Sequence, residues 1–298
     1  MANSVRIKFR GVRAIHSAPG HHNQTTGGNT SCIQIDDGSS TIFVNAGFGI
    51  SAAGSDIMSA RSTTGKNVDV SILFSDFLWD STIGFLSFAP IHFKSSKIQI
   101  VTGSTVATAI DGLDDAASPF FSPFENFRGL SAKKSFIQIH EGLKIGGWDV
   151  SGLLTNNPLT PYGATIWRLK NNKGDDIGIV MLCDRSEDTL AKVGNFLSGC
   201  KTLICAATAH PEHDSWSEHR TGFEEALTLA LAAKTEALFL THFHPELDDV
   251  ILQEELIKLK LSLASMRKDN PSVKLSIYLA NEIEDISLAT STLIKKAI

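Results

Sequence analysis

Short apolar runs, separated by glycine, asparagine and proline, are the feature that most constrains the fold of this 298-residue chain. Runs of roughly four to eight residues between turn residues are typical of β-strands. A first series of predicted strands covers residues 4–9, 32–35, 40–44, 68–74, 97–101, 136–139 and 143–150. A second series covers residues 163–170, 178–183, 203–206, 237–240 and 274–279. The polar residues 171–176 predict a hairpin at the start of the second series.

Two amphipathic helices are predicted in the second half of the chain. Residues 222–233 have apolar side chains at helical spacing, and residues 246–267 place Leu252, Leu256 and Leu259 on one face. Pro245 and an acidic first turn mark the start of the longer helix. Because no linker or low-complexity segment divides the chain, the pattern predicts two sheets between helical layers in a single domain, residues 1–298.

The net charge of the chain bears on which kinds of molecule it can bind. Lys and Arg number 27 and Asp and Glu 32, a net charge of −5, which argues against an extended nucleic-acid surface or binding to an anionic membrane. Residues 1–30 lack the apolar segment of a secretory signal, and no run reaches the roughly 18 apolar residues of a membrane span. The four cysteines lack zinc-knuckle spacing. These features predict a cytoplasmic protein with reduced thiols and no membrane association.

Six segments, in order along the chain, resemble the metallo-β-lactamase superfamily, in its branch of phosphodiesterase-like and tRNA 3′-end-processing-like proteins. They are residues 8–13 (KFRGVR), 27–32 (GGNTSC), 42–50 (IFVNAGFGI), 74–80 (FSDFLWD), 182–184 (LCD) and 240–246 (LTHFHPE). Where this chain has Asn45, the family usually has aspartate. The resemblance implies an α/β fold, a four-layer αββα sandwich.

The family's H-x-H-x-D-H metal signature is degenerate here. By the resemblance, Asp76, Leu78 and Ser81 stand at its three histidines, and Asn157 stands at a more distant histidine ligand. Leucine has no atom that can donate to a metal. The resemblance therefore implies that the first metal of the dinuclear centre is lost and that a dinuclear zinc site is not expected.

Part of the second metal site remains. Asp80, Asp184 and His242 match the family's remaining ligands, and two carboxylates with one imidazole resemble sites for one Mn²⁺, Fe²⁺ or Mg²⁺, or Zn²⁺. In the competing interpretation, the aspartates are hydrogen-bonded remnants that hold the loops together, with His242 compensating their charge.

His219 and Arg220 form a candidate anion site. In residues 216–222 (WSEHRTG), His219 falls where related phosphodiesterase-like proteins have a Gly-His-Ser/Thr motif before a helix. There the histidine can assist a leaving group or contact phosphate, and an adjacent arginine favours anions. The alternative is a solvent-exposed pair in a loop at the start of the helix.

The remaining candidates have structural explanations. Exposed loops are predicted for His21, His22, His210 and His213, and Cys183 is predicted to be a core thiol. The aromatic side chains favour core packing, or else a reshaped pocket; they are Phe77, Trp79, Phe120, Phe121, Phe124 and Phe127.

The sequence supports two hypotheses for the function of the chain, and a third is also considered. The first is a catalytically impaired protein that binds a small-molecule or protein ligand. The alternative is a mononuclear metal-dependent hydrolase of phosphodiesters or esters, with a metal on Asp80, Asp184 and His242; Asp80 and His219 are its catalytic candidates. A homo-oligomeric scaffold is the third.

Overall fold

The structure is a computed structural model that describes residues 4–116, 130–140, 142–210, 217–289 and 292–296. Its first sheet contains β1 (Val5–Gly11), β2 (Cys32–Asp36), β3 (Thr41–Val44), β4 (Asp69–Phe74), β5 (Lys97–Thr102), β6 (Lys133–Gln138), β14 (Asp285–Ala289) and β15 (Thr292–Lys296). The strand order is β15-β14-β1-β2-β3-β4-β5-β6. The strands from β3 to β6 are parallel to one another, and the others are antiparallel to their neighbours.

The second sheet is formed by the middle and later parts of the chain. It contains β7 (Leu143–Ile145), β8 (Trp148–Asn157), β9 (Thr160–Asn171), β10 (Asp176–Val180), β11 (Thr202–Ala206), β12 (Ala237–Thr241) and β13 (Ser276–Leu279). They lie in the order β13-β12-β11-β10-β9-β8-β7, and the strands from β10 to β13 are parallel. The predicted hairpin is present as the antiparallel pair β9 and β10.

Helices flank both sheets. The α-helices of the described residues are α1 (Gly49–Thr64), α2 (Trp79–Thr82), α3 (Val106–Ala116), α4 (Glu187–Phe196), α5 (Phe223–Ala232) and α6 (Asp249–Asp269). Short 3₁₀ helices cover His21–Asn23, Phe85–Ser87 and Ala89–His92. Helix α1 packs against β1 and β2, whereas α5 packs against β11 and β12 and α6 against β13. The two mixed sheets with flanking helices confirm the predicted α/β sandwich.

Side chains alternate between two apolar cores, as strand geometry requires. In β4, Ile72 and Phe74 belong to the core beneath α1, while Leu73 between them belongs to the larger core. That larger core combines residues of both sheets, such as Ile35 and Ile166. Burial of both faces explains why the central strands are continuous apolar runs instead of alternating ones.

Several elements differ from the sequence prediction. Residues 143–150 form two strands, because Gly146, with φ of 56°, turns the chain between β7 and β8. Helix α6 begins at Asp249, three residues later than predicted, since the Asp248 side chain caps it by accepting from the N–H groups of Val250 and Ile251. Strands β14 and β15 and helices α1 to α4 were not predicted.

The four cysteines are free and buried, which agrees with the predicted core position of Cys183. Within the described residues, no helix is both long and apolar enough to span a membrane.

Candidate functional site

The candidate residues follow the carboxyl ends of parallel strands from both sheets. Asp76 and Asp80 come after β4 in the first sheet, whereas Asp184 comes after β10 and His242 after β12 in the second. The ends of parallel strands at one edge of a sheet are where α/β folds usually place their ligand sites.

Asp80 and His242 form a buried pair that joins the two sheets. The Oδ2 atom of Asp80 lies 2.9 Å from Nε2 of His242 and also accepts the N–H of Ile15 at 2.6 Å. Burial raises the pKa of Asp80, but the hydrogen bond and charge of His242 and the charge of Arg220 more than offset it and lower the pKa to about 2. Asp80 is therefore an ionised carboxylate.

Both ring nitrogens of His242 face acceptors. The Nδ1 atom lies 2.9 Å from the carbonyl oxygen of Met181, which can only accept, and Nε2 faces the Asp80 carboxylate. Both ring nitrogens therefore lie within hydrogen-bonding distance of an acceptor. Its backbone has a φ of 56°, and its carbonyl oxygen accepts from the Thr208 hydroxyl at 2.6 Å. In this arrangement both ring nitrogens are engaged in hydrogen bonds.

Asn45 fixes the loop that carries the degenerate signature. Its amide nitrogen donates to the Ser81 hydroxyl at 2.9 Å, and its amide oxygen accepts the N–H of Ser75 at 2.9 Å. Asn45 is completely buried and has a φ of 60°, a conformation that asparagine tolerates. Ser81 is thus tied to the end of β3.

Asp76 lies near Asp80 and is also buried. Its Oδ1 atom accepts the N–H of Leu78 at 3.0 Å, within its own loop. Burial and the negative charge of Asp80 raise its pKa, which favours the uncharged acid. The ionised carboxylate of Asp80 therefore faces the His242 ring and the charge of Arg220.

Asp184, His219 and Asn157 form a second hydrogen-bonded group. The Nδ1 atom of His219 lies 2.9 Å from Oδ1 of Asp184, and the Asn157 amide donates to the His219 carbonyl oxygen at 2.9 Å. Burial raises the pKa of Asp184, but hydrogen bonds from His219 and Ser186 outweigh it and lower the pKa. The His219 and Asp184 side chains are 28% and 18% exposed, so solvent reaches this group.

Arg220 is buried without hydrogen-bond partners for two of its nitrogens. It is 5% exposed, and its Nε and Nη1 atoms have no acceptor among the described residues. The other buried arginine of the site region, Arg13, donates from Nε to Gly27, from Nη1 to Leu247 and from Nη2 to Thr26, all within 2.8 Å. Because buried donors are nearly always paired, the contrast marks Arg220 as a candidate position for an anion.

Sequence reasoning missed one cluster. His210, His244 and Glu246 have side-chain ligand atoms within 4.8 Å of one another, the one such group of three or more His, Cys, Asp or Glu found in the described part of the chain. His210 is half-buried, so the predicted exposed loop is wrong there, and its ring lies 5.0 Å from that of His244. The H-x-E spacing of residues 244–246 after a predicted strand was the signal that could have revealed it.

At three positions that the resemblance assigns to metal-binding histidines, the chain has other residues. Leu78 has no donor atom, Ser81 is bound to Asn45, and Asn157 is bound to the His219 backbone. Of the predicted mononuclear set, the structure brings Asp80 and His242 together, while Asp184 contacts His219 instead. A metal on that set remains a prediction.

The other sequence candidates lie outside these groups. His21 and His22 are exposed, with ring centroids 3.8 Å apart. Trp79 is exposed, and Phe77 stacks on Phe74. Four aromatic candidates and one histidine fall outside the described residues: Phe120, Phe121, Phe124, Phe127 and His213. A surface cavity of about 460 Å³, lined by residues of β7 to β9 and α4, includes none of the candidate site residues.

Comparison of sequences finds no relative: no protein-family model matches the chain, and no curated protein gives a significant match. Comparison of structures finds many. The metallo-β-lactamase fold protein YhfI from Bacillus subtilis has a TM-score of 0.64 at 15% identity, over 96% of this chain and 100% of its own. A diphosphatase of the PhnP family has a TM-score of 0.61 at 11% identity, over 96% and 98% of the two chains.

A third neighbour is the short form of human tRNase Z, with a TM-score of 0.57 at 15% identity, over 95% of this chain and 99% of its own. At such identities the similarity concerns the fold alone. The three alignments cover nearly the whole of both chains, so the similarity extends over both sheets. The chain therefore has the metallo-β-lactamase fold, as the sequence resemblance implied.

Proposed function

We propose that this chain is a catalytically impaired metallo-β-lactamase-fold protein that binds a small anionic ligand of the phosphate or phosphodiester class. The ligand would lie at Arg220 and His219, beside the Asp80–His242 pair. The observation that carries the proposal is that pair, in which a buried hydrogen bond engages the two side chains that the resemblance assigns to metal binding.

The loss of hydrolysis follows from what two metals contribute. A dinuclear centre generates a hydroxide nucleophile and stabilises the attacking and leaving oxygens. Here the carboxylate of Asp80 and both nitrogens of His242 are engaged in hydrogen bonds. A metal could bind them only by replacing the buried hydrogen bond between the two side chains.

Anion binding follows from the unpaired donors of Arg220. Its Nε and Nη1 atoms are buried and have no acceptor in the described part of the chain, and leaving such donors unpaired costs free energy. Phosphate oxygens accept from guanidinium groups in a bidentate manner. His219, the adjacent residue, is partly exposed. The diphosphatase among the structural neighbours is in keeping with a phosphate-containing ligand.

The test combines binding with turnover. Calorimetric titration with inorganic phosphate and with an aryl phosphodiester should show binding to the wild-type chain, weakened about tenfold or more in Arg220→Met. The matched control is Arg185→Met, which removes an exposed arginine paired with Glu225. No binding, or equal binding by the two variants, would reject the anion site.

The turnover arm distinguishes the mononuclear hydrolase. We expect no cleavage of the aryl phosphodiester above background with Mn²⁺, Fe²⁺, Mg²⁺ or Zn²⁺. Metal-dependent cleavage that disappears in Asp184→Ala would overturn the proposal and establish the hydrolase. Asp184→Ala leaves the Asp80–His242 pair in place, so the fold should survive the change.

A further inference from the structure

The loops after β11 and β12 bring two histidines together at one edge of the second sheet. These strands are parallel neighbours, with Ala206 opposite Thr241 at their carboxyl ends. His210 lies four residues beyond Ala206, and His244 lies three beyond Thr241. The close approach of their rings therefore follows from the sheet register.

Hydrogen bonds hold the backbone on both sides of this contact. The Ser217 hydroxyl lies 2.7 Å from both the N–H and the carbonyl oxygen of His210. The carbonyl oxygen of His244 accepts the N–H of Leu247 at 3.0 Å, in a tight turn. Between the strands, Thr208 donates to the His242 carbonyl oxygen. The positions of the two histidines are thus set before any ligand binds, and preorganised ligands favour metal binding.

Glu246 completes the group with a carboxylate. The side chain is exposed, whereas His244 is buried and His210 half-buried, so one side of the cluster is open to solvent. The backbone N–H of Glu246 donates to Nδ1 of His244 at 3.3 Å. Nδ1 is thus an acceptor in this structure, and a metal ion bound there would take the place of this hydrogen bond.

We propose that His210, His244 and Glu246 bind one divalent transition-metal ion, Zn²⁺ in the first instance. Two imidazoles and one carboxylate, with water in the fourth position, form a tetrahedral zinc set. Ligand atoms about 2.05 Å from one tetrahedral ion lie about 3.4 Å apart. These ligand atoms already lie within 4.8 Å of one another. The distance between any two of them therefore has to shorten by about 1.4 Å or less to reach the tetrahedral separation.

This site is separate from the positions that match the family's ligands and does not depend on anion binding. It uses neither Asp80 nor Asp184, and His244 lies two residues beyond His242. The bound ion would cross-link the loop that carries His219 and Arg220 to the turn after β12. Zinc should therefore raise the melting temperature of the chain.

The experiment is calorimetric titration of the full, EDTA-treated chain with Zn²⁺ in phosphate-free buffer, together with Co²⁺ absorption spectra. We expect one Zn²⁺ per chain and the intense visible bands of four-coordinate Co²⁺. Affinity should fall about tenfold or more in Glu246→Gln and in His210→Ala, since even loss of an outer partner of a metal ligand costs 10–100-fold. These residues are exposed and half-buried, so both variants should fold.

The controls separate this site from the alternatives. Zn²⁺ affinity should be unchanged in His22→Ala, which removes an exposed histidine, and in Asp184→Asn, which alters the other predicted metal set. The proposal is overturned by absence of Zn²⁺ binding, by unchanged affinity in Glu246→Gln and His210→Ala, or by loss of binding in Asp184→Asn. Equally tight Mg²⁺ binding would indicate an oxygen-ligand site elsewhere and would also overturn it.

Discussion

The Nε2 atom of His242 lies 2.9 Å from Oδ2 of Asp80, and the two residues, 162 positions apart in sequence, are 1% and 2% exposed. The contact connects the end of β12 in the second sheet to the loop after β4 in the first. Ile15 and Met181 supply the remaining hydrogen bonds of the pair. A buried pair with its hydrogen bonds satisfied therefore occupies two positions that the sequence resemblance assigns to metal ligands.

Breaking this pair should destabilise the fold strongly. Asp80→Asn or His242→Gln leaves one partner buried without its counter-charge, which typically costs about 3–5 kcal/mol. We expect losses of that size in the free energy of unfolding by urea, and a double variant less destabilised than the sum of the two. The exposed pair Lys144–Asp149 provides the control, because Lys144→Ala should cost less than about 1 kcal/mol. Equal losses at the two pairs would contradict the stabilising role of Asp80–His242.

Glu282 should make stability depend on pH. Burial raises the pKa of Glu282 to about 7 in the fold, although hydrogen bonds from Asn29 oppose the shift. Between about pH 4.5 and pH 7 the folded chain therefore binds this proton more tightly than the unfolded chain. The stabilisation from protonated Glu282 is complete below that window and is lost as the pH rises through it, by roughly 2–3 kcal/mol.

The measurement is urea unfolding at several pH values for the wild type and for Glu282→Gln, which mimics the protonated carboxyl. The free-energy difference between the two should grow in favour of the variant from pH 4.5 to pH 7 and stay constant above. A constant difference across the whole window would show that Glu282 does not cause the dependence.

Asn45 should be sensitive to both its side chain and its backbone. Asn45→Ala removes two buried hydrogen bonds and places alanine in the left-handed region, for a loss of about 3 kcal/mol in unfolding free energy. Asn45→Gly loses the same hydrogen bonds but relieves the backbone, so it should be about 1 kcal/mol more stable than Asn45→Ala. The reverse order would show that the backbone conformation carries no penalty.

Arg13 and Arg220 should respond differently to removal of their charge. Arg13→Met leaves acceptors of three hydrogen bonds unsatisfied, and we expect a loss of at least about 3 kcal/mol. Arg220→Met removes two unpaired donors, so in phosphate-free buffer the unfolding free energy should stay within about 1 kcal/mol of wild type. A loss at Arg220 as large as that at Arg13 would mean that Arg220 is a structural residue.

Much of the fold could be predicted because strand runs are short and separated by turn residues. Helix α1 was not predicted because it has few buried residues, namely Gly49, Ile50, Ala53 and Gly54. These residues are small and lie close together at the start of the helix, so they do not form an apolar stripe with helical spacing. Residues 143–150 are divided into two strands by the turn at Gly146. The residues around this glycine are typical of a strand, so the sequence pattern did not indicate the turn.

The candidate site was only partly predictable. Resemblance identified Asp80, Asp184 and His242, but their pairing is a tertiary property: spacing in sequence does not show that Asp80 meets His242 and Asp184 meets His219. The His210–His244 contact required the register of β11 and β12, and the proline after His210 favoured an exposed loop instead.

The position of β1 has a consequence for how the chain assembles during synthesis. The first strand lies between β2 and β14, with Val5 opposite Leu288, and Arg13 donates to the carbonyl oxygen of Leu247. At about 5–20 residues per second, a ribosome needs about 15–55 s to supply the far neighbour of β1. Until then one edge of β1 is unpaired in the nascent chain. The first sheet, whose strands are synthesised first, is therefore completed last.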